Sequence, residues 1–229
     1  MWTRNIFFRQ TLAILVKDLQ TEWRTLELFT SMFVFAVLVI VVFNFALGTD
    51  PDRMRQSVPG ILWITLLFAT ILGLQRAIQK ESEEDTLQGV ILALHDYSAL
   101  FIAKMIAHMF HLVMLLLCTL PLCSLWFHID LTSCVGSVSF ILFLGITGLS
   151  ILGTLFAMIM LNIRAREVLL PLLFLPISVP VTIAVVQATT KLLNGKAFAD
   201  ITDYIILLGI FDVVFFVIAL IIFDHILEE

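Results

Sequence analysis

Two histidines three residues apart, and one aspartate far from them, are the side chains here whose types and settings could do chemistry. His108 and His111 stand at i and i+3 in "KMIAHMFHLVMLLLC", which places them on one face of a helix. Asp212 interrupts the apolar run "TDYIILLGIFDVVFFVIALIIF". An imidazole pair can offer ring nitrogens to a bound ligand, and a carboxyl group in apolar surroundings can move a proton. Polar side chains in apolar helices more commonly hold helices together by hydrogen bonds. The structural reading therefore comes first: Asp212 and His111, at similar depth on separate helices, are expected to share a buried hydrogen bond. Gly148-Leu149-Ser150 hints at a hydrolase but lacks accompanying catalytic groups. No GxxxxGK[ST] phosphate loop occurs, since Gly195-Lys196-Ala197 lacks both the first glycine and the hydroxyl. The chain is accordingly expected not to be an enzyme, and ATP-driven work would need another subunit.

A second constellation lies in "KESEEDTLQGVILAL", Lys80 to Leu94. It opens on a run of charges and turns aliphatic after Thr86. Ser82 with Asp85 makes a loose capping box, and Glu84 adds to an acidic first turn that suits the helix dipole. Leu87, Val90, Ile91 and Leu94 follow at i, i+3, i+4 and i+7, one apolar stripe on a short helix over about 82–95. Gly89 costs about 1 kcal/mol against alanine there, while permitting close backbone approach. Nothing basic in the stripe would attract anionic lipid, so a protein partner fits better than the inner leaflet.

These groups must be positioned by an unusually apolar chain. Of 229 residues, 61% are hydrophobic and 14% charged, with twenty Phe against two Tyr, a shift that points to the membrane class. The net charge of -5 argues against nucleic acid. Cys118, Cys123 and Cys134 form no CxxC pair or disulfide framework, and no cleavable signal is expected over residues 1–27. A hydrocarbon core about 30 Å thick needs roughly 20 residues of helix. That ruler predicts an all-α membrane protein with spans near Leu28–Leu47, Val58–Leu74, Leu100–Phe127, Val135–Leu161, Val168–Ala188 and Tyr204–Phe223. Pro171, Pro176 and Pro180 should kink or locally break the fifth. With the N-terminus inside, Arg4, Arg9, Lys17, Arg24, Arg76, Lys80, Lys104, Arg164 and Arg166 fall on the cytoplasmic side. Arg53, Arg55, Lys191 and Lys196 fall opposite, so nine against four favours both termini in the cytoplasm. Ahead of the first span, residues 1–27 place Phe8, Leu12, Leu15, Leu19, Trp23 and Leu26 on one helical face. Arg9, Lys17, Glu22 and Arg24 take the other, as in an amphipathic helix lying in the interface, with packing on another, soluble subunit the alternative. Gly145, Gly148 and Gly153, with Thr147 and Thr154, would let a neighbour approach the fourth span closely, within the chain or across a dimer.

The block "VPGILWITLLFATILGLQRAIQKESEEDTLQGVILALHDYSALFIAKMIAHM" closely resembles the haem-exporter protein B (CcmB) family, and "GLSILGTLFAMIMLNIRAREVLLPLLFLPISVPV" resembles its second signature block. The resemblance covers nearly the whole chain. It implies an ABC-2-type permease fold of six spans in the bacterial inner membrane, within a cytochrome c maturation transporter. The segment after the second span would be the coupling helix, which gives Glu84, Leu87, Val90, Ile91 and Leu94 the role of docking an ATPase. The implied partners are a CcmA-like ATPase, a second copy of the chain, CcmC-like and CcmD-like membrane subunits, and a CcmE-like haem chaperone. Haem becomes a ligand that His108 or His111 could touch, though not a resident cofactor. His95-Asp96 departs from the proline that relatives often carry after the stripe. Transport of haem, release of a haem-loaded chaperone, transport of another substrate, and a remodelling scaffold all remain open.

Overall fold

The computed structural model describes residues 2–48, 51–84, 97–127, 135–161, 163 and 165–226. Among them run seven α-helices: α1 (Trp2–Thr25), α2 (Glu27–Leu47), α3 (Pro51–Glu84), α4 (Tyr97–Phe127), α5 (Val135–Met160), α6 (Arg166–Leu193) and α7 (Thr202–Ile226). A 3-10 turn, Phe198–Ile201, leads into α7. Helices α2 to α7 each carry a window long and apolar enough to cross a membrane. The six expected spans are all present, with different bounds.

The largest difference is α3. Its apolar run was expected over Val58–Leu74, yet the helix covers 34 residues, about 50 Å at the standard rise. The extra turns hold Arg76, Lys80 and Glu81, interleaved with Gln75 and Gln79. These residue types are polar but are good helix formers, so the helix outlasts its hydrophobicity and projects beyond any hydrocarbon layer.

Helix α6 narrows a second expectation, a kink or a local break, by excluding the break. It passes through Pro171, Pro176 and Pro180 without a break. Each proline removes an N–H that would serve the carbonyl four residues earlier. For Pro171 that carbonyl belongs to Glu167, and the Gln75 side chain of α3 donates to it at 2.9 Å. The neighbouring helix thus supplies the lost donor. The hydroxyls of Ser178 and Thr182 also donate to helix carbonyls, those of Leu175 at 3.0 Å and Ser178 at 2.9 Å.

Helices α3 and α5 form the centre, with 72% of each apolar window buried against 17% for α2 and α7. Helix α5 can sit there because its glycines face bulky neighbours. A Cβ on Gly145 would lie 2.3 Å from the Trp63 ring, and one on Gly153 would lie 2.7 Å from Leu74. The small-residue row therefore serves close packing within this chain. Helix α7 turns Ile206, Ile210, Val213, Val217 and Ile221 outward.

Candidate functional site

Helix α1 lies along α4 and meets the end of α3. It turns Ile14 and Glu22 inward and leaves Phe8, Leu12 and Trp23 more than 60% exposed. Apart from Ile14, a helix on a water-soluble protein would do the reverse. The expected polar face is thereby divided: Arg9, Lys17 and Arg24 are exposed, whereas Glu22 is buried.

Glu22 holds the corner between α1 and α2. There Leu26 adopts a left-handed conformation, φ 53° and ψ 17°, which costs a residue with a side chain about 1–2 kcal/mol. The Glu22 carbonyl accepts from the Leu26 N–H at 2.7 Å. Its carboxylate accepts from the Phe29 N–H at 3.0 Å, one of the first-turn amides of α2 that have no partner within their own helix. A negative group at this end also suits the helix dipole.

Beside that corner three helices meet through one lysine. Lys104 of α4 pairs with Asp18 of α1 at 2.9 Å and with the carboxylate of Glu81 of α3. All three side chains are less than a fifth exposed. Lys80 donates to Thr25 Oγ1 at 3.4 Å, a second tie between α3 and α1. Below this network lies a cavity of about 130 Å³ that reaches His108, His111 and Thr154. All three are at least 92% buried. Neither histidine Nε2 nor the Thr154 hydroxyl has a hydrogen-bond partner among the described residues. Three cations (Lys17, Lys80, Lys104) and three carboxylates (Asp18, Glu22, Glu81) line the same space, so their formal charges cancel. The arrangement can hold helices together and solvate a neutral or zwitterionic group; it offers no unbalanced charge.

The two histidines come together as their spacing predicts, but the bond from His111 to Asp212 does not form. Both carboxylate oxygens of Asp212 lack partners among the described residues. The side chain instead abuts α5, where a Cβ on Gly148 would lie 2.6 Å from Oδ1. His111 faces the cavity under α1. Depth along the span was readable from sequence; the direction each side chain takes around its helix was not.

Of the proposed docking residues, Glu84 ends α3, and Leu87, Val90, Ile91 and Leu94 lie outside the described residues. Cys118 and Cys123 are free thiols; Cys134 lies outside the described residues. Among the described residues no three His, Cys, Asp or Glu side chains gather to hold a metal. Sequence reasoning missed Asp18 and Glu81. The available signal was Lys104 itself, a cation inside an apolar run that requires a partner.

A family model described as CcmB protein matches residues 9–228. Heme exporter protein B of Pseudomonas aeruginosa is 29% identical over 162 residues, covering 71% of this chain and 72% of that protein. Heme exporter protein B of Rhodobacter capsulatus is 29% identical over 185 residues, covering 81% and 84%. That of Paracoccus denitrificans is 28% identical over 188 residues, covering 82% and 84%.

Proposed function

The chain belongs to the CcmB family, and from that membership we propose that it is the membrane permease subunit of an ABC transporter that handles haem during cytochrome c maturation. The observation that carries this reading is the reach of the family match, residues 9–228, across all six candidate spans. ATP hydrolysis falls to a separate ATPase subunit. That subunit docks on the segment between α3 and α4, where Leu87, Val90, Ile91 and Leu94 present an apolar stripe behind Glu84. A second copy of the chain and haem-handling membrane subunits with their chaperone complete the assembly. The protein sits in a bacterial inner membrane with both termini cytoplasmic, in keeping with the nine-to-four distribution of Lys and Arg. Helix α1 lies in the cytoplasmic interface, its exposed Phe8, Leu12 and Trp23 set into the lipid boundary.

Purification from native membranes in mild detergent, followed by mass spectrometry, tests this reading. Recovery of an ATPase together with cytochrome-maturation proteins is expected. An ATPase recovered with partners of another pathway would reassign the substrate. In the same experiment, Leu87→Asp with Ile91→Asp should lose the ATPase while the chain still inserts, because a charge would be buried in an apolar groove. Retention of the ATPase at the wild-type level would remove the stripe from the interface.

A further inference from the structure

The proposed docking segment leaves the bundle at Glu84 and returns at Tyr97. Its two stems are tied to each other: Glu81 stands in the last turn of α3, Lys104 about two turns into α4, and the two form an ion pair. Asp18 of α1 takes the other side of the same ammonium at 2.9 Å. The Lys80–Thr25 contact repeats the link between the α3 stem and the end of α1. One residue further on, the Leu26 corner is fixed by Glu22 from both sides. Polar contacts thus tie the stems of the segment to α1, and the rigid turn of α1 that carries them leads to Glu22, whose contacts hold the start of the first span.

We infer that Lys104 is a positioning residue that joins α1 to the stems of the docking segment, so that a displacement imposed on the segment reaches the first span through the Leu26 corner. The inference rests on the reading of that segment as the ATPase contact. Mostly buried ion pairs are modest sources of net stability, yet they strongly resist separation once desolvated, because each partner would be left uncompensated. Movement of one helix end must therefore carry the other two or break a charge pair. Lys104 serves two carboxylates. Removing the Asp18 charge leaves the neutral Lys104–Glu81 pair closing the stems and breaks the charged tie to α1, so that α1 meets the α3 stem through the exposed Lys80–Thr25 contact. Docking and transmission separate at that one position.

The test is amide hydrogen exchange on the full chain in lipid nanodiscs with its co-purified ATPase, with and without a non-hydrolysable ATP analogue. In the wild type, exchange should change on nucleotide binding both in the docking segment and across residues 12–25, by roughly tenfold, within the usual range of coupling between sites. In Asp18→Asn the ATPase should stay bound and the docking segment should still respond, while the response of α1 falls below about twofold. Lys104→Arg should keep the wild-type response and Lys104→Met should lose it. A purely structural role would lower the unfolding midpoint without removing the nucleotide response. Should Asp18→Asn fail to insert, Glu81→Gln is the second variant, because it frees Lys104 from the α3 stem; a wild-type α1 response there overturns the inference. Silence of α1 in the wild type, with the ATPase bound and the docking segment responding, also overturns it and leaves the docking reading standing. Absence of any bound ATPase removes the docking reading and this inference with it.

Discussion

At one end of the bundle Lys104 is held between Asp18 and Glu81; partway along α7, Asp212 lies against Gly148 of α5. Both sites bury ionisable groups, and they do so on opposite terms. The first assembles three charges from three helices and leaves each with a counter-charge. The second buries one carboxyl group with neither oxygen bonded among the described residues. A paired group helps decide where helices sit. An unpaired one is a cost that other packing must offset, and it constrains its surroundings only by shape. The difference shows that burial of a polar residue does not by itself reveal whether it organises the fold.

The largest expected effect comes from breaking the paired site. Lys104→Met leaves Asp18 and Glu81 facing each other with no cation between them, although Asp18 keeps the half-exposed Lys17 at 3.7 Å. Removing one partner of a buried pair costs about 3–5 kcal/mol. The lower end, about 3 kcal/mol, applies because these side chains keep 16–19% of their exposure. Unfolding of the purified protein by graded SDS in mixed micelles would measure it. Lys104→Arg should stay within about 1 kcal/mol of the wild type, since a guanidinium can serve both carboxylates. Equal stability of Lys104→Met and wild type would mean that the charges meet without holding the helices.

The second effect probes shape where pairing is absent. Gly148→Ala drives a methyl group into the space of Asp212 Oδ1, and overpacking of that kind costs about 1–3 kcal/mol. Asp212→Ala should relieve most of the loss in the same molecule, giving a coupling between positions 148 and 212 of about 0.5–3 kcal/mol. Lys104→Met and Asp212→Ala, which share no partner, should add within about 0.5 kcal/mol. Additivity between 148 and 212 would show that Asp212 points elsewhere.

Much of this architecture was legible before any coordinates. Apolar runs announced six spans, and the i, i+3 spacing put His108 and His111 on one face. The continuation of α3 to Glu84 was missed because hydropathy ends at the charges while helix propensity does not. That α6 runs on rather than breaking was not legible, because at Pro171 Gln75, 92 positions before Glu167, supplies a donor that no local window contains. The Asp18–Lys104–Glu81 contact was hidden for the same reason: its members come from three helices, and only the demand of a buried cation for a partner was visible. The expected Asp212–His111 bond failed on azimuth. Equal depth on two helices leaves open which way each side chain turns, and the glycine face of α5 proved to be where Asp212 fits.

Between the charged triad and the lone carboxyl stands a neutral pair that should give the smallest effect. The Trp63 indole N–H of α3 donates to Thr189 Oγ1 of α6 at 3.2 Å, and that hydroxyl donates onward to the Val185 carbonyl at 2.6 Å. Both side chains are buried, at 1% and 4% exposure, so the indole has no water to turn to when its acceptor is lost. Nor can the ring swing toward another acceptor, since it is pressed against Gly145 so closely that a Cβ there would lie 2.3 Å away. Thr189→Val keeps the branched shape and opens no cavity, which isolates the hydrogen bond from packing. Polar contacts between membrane helices average about 0.6 kcal/mol and reach about 1.7 kcal/mol, and the expected loss lies within that range. The order Lys104→Met, then Gly148→Ala, then Thr189→Val in SDS unfolding would place compensated charge above shape, and shape above a neutral bond, as determinants of where these helices sit. A Thr189→Val loss exceeding that of Lys104→Met would invert the order and move the organising contact from the end of the bundle to the α3–α6 seam.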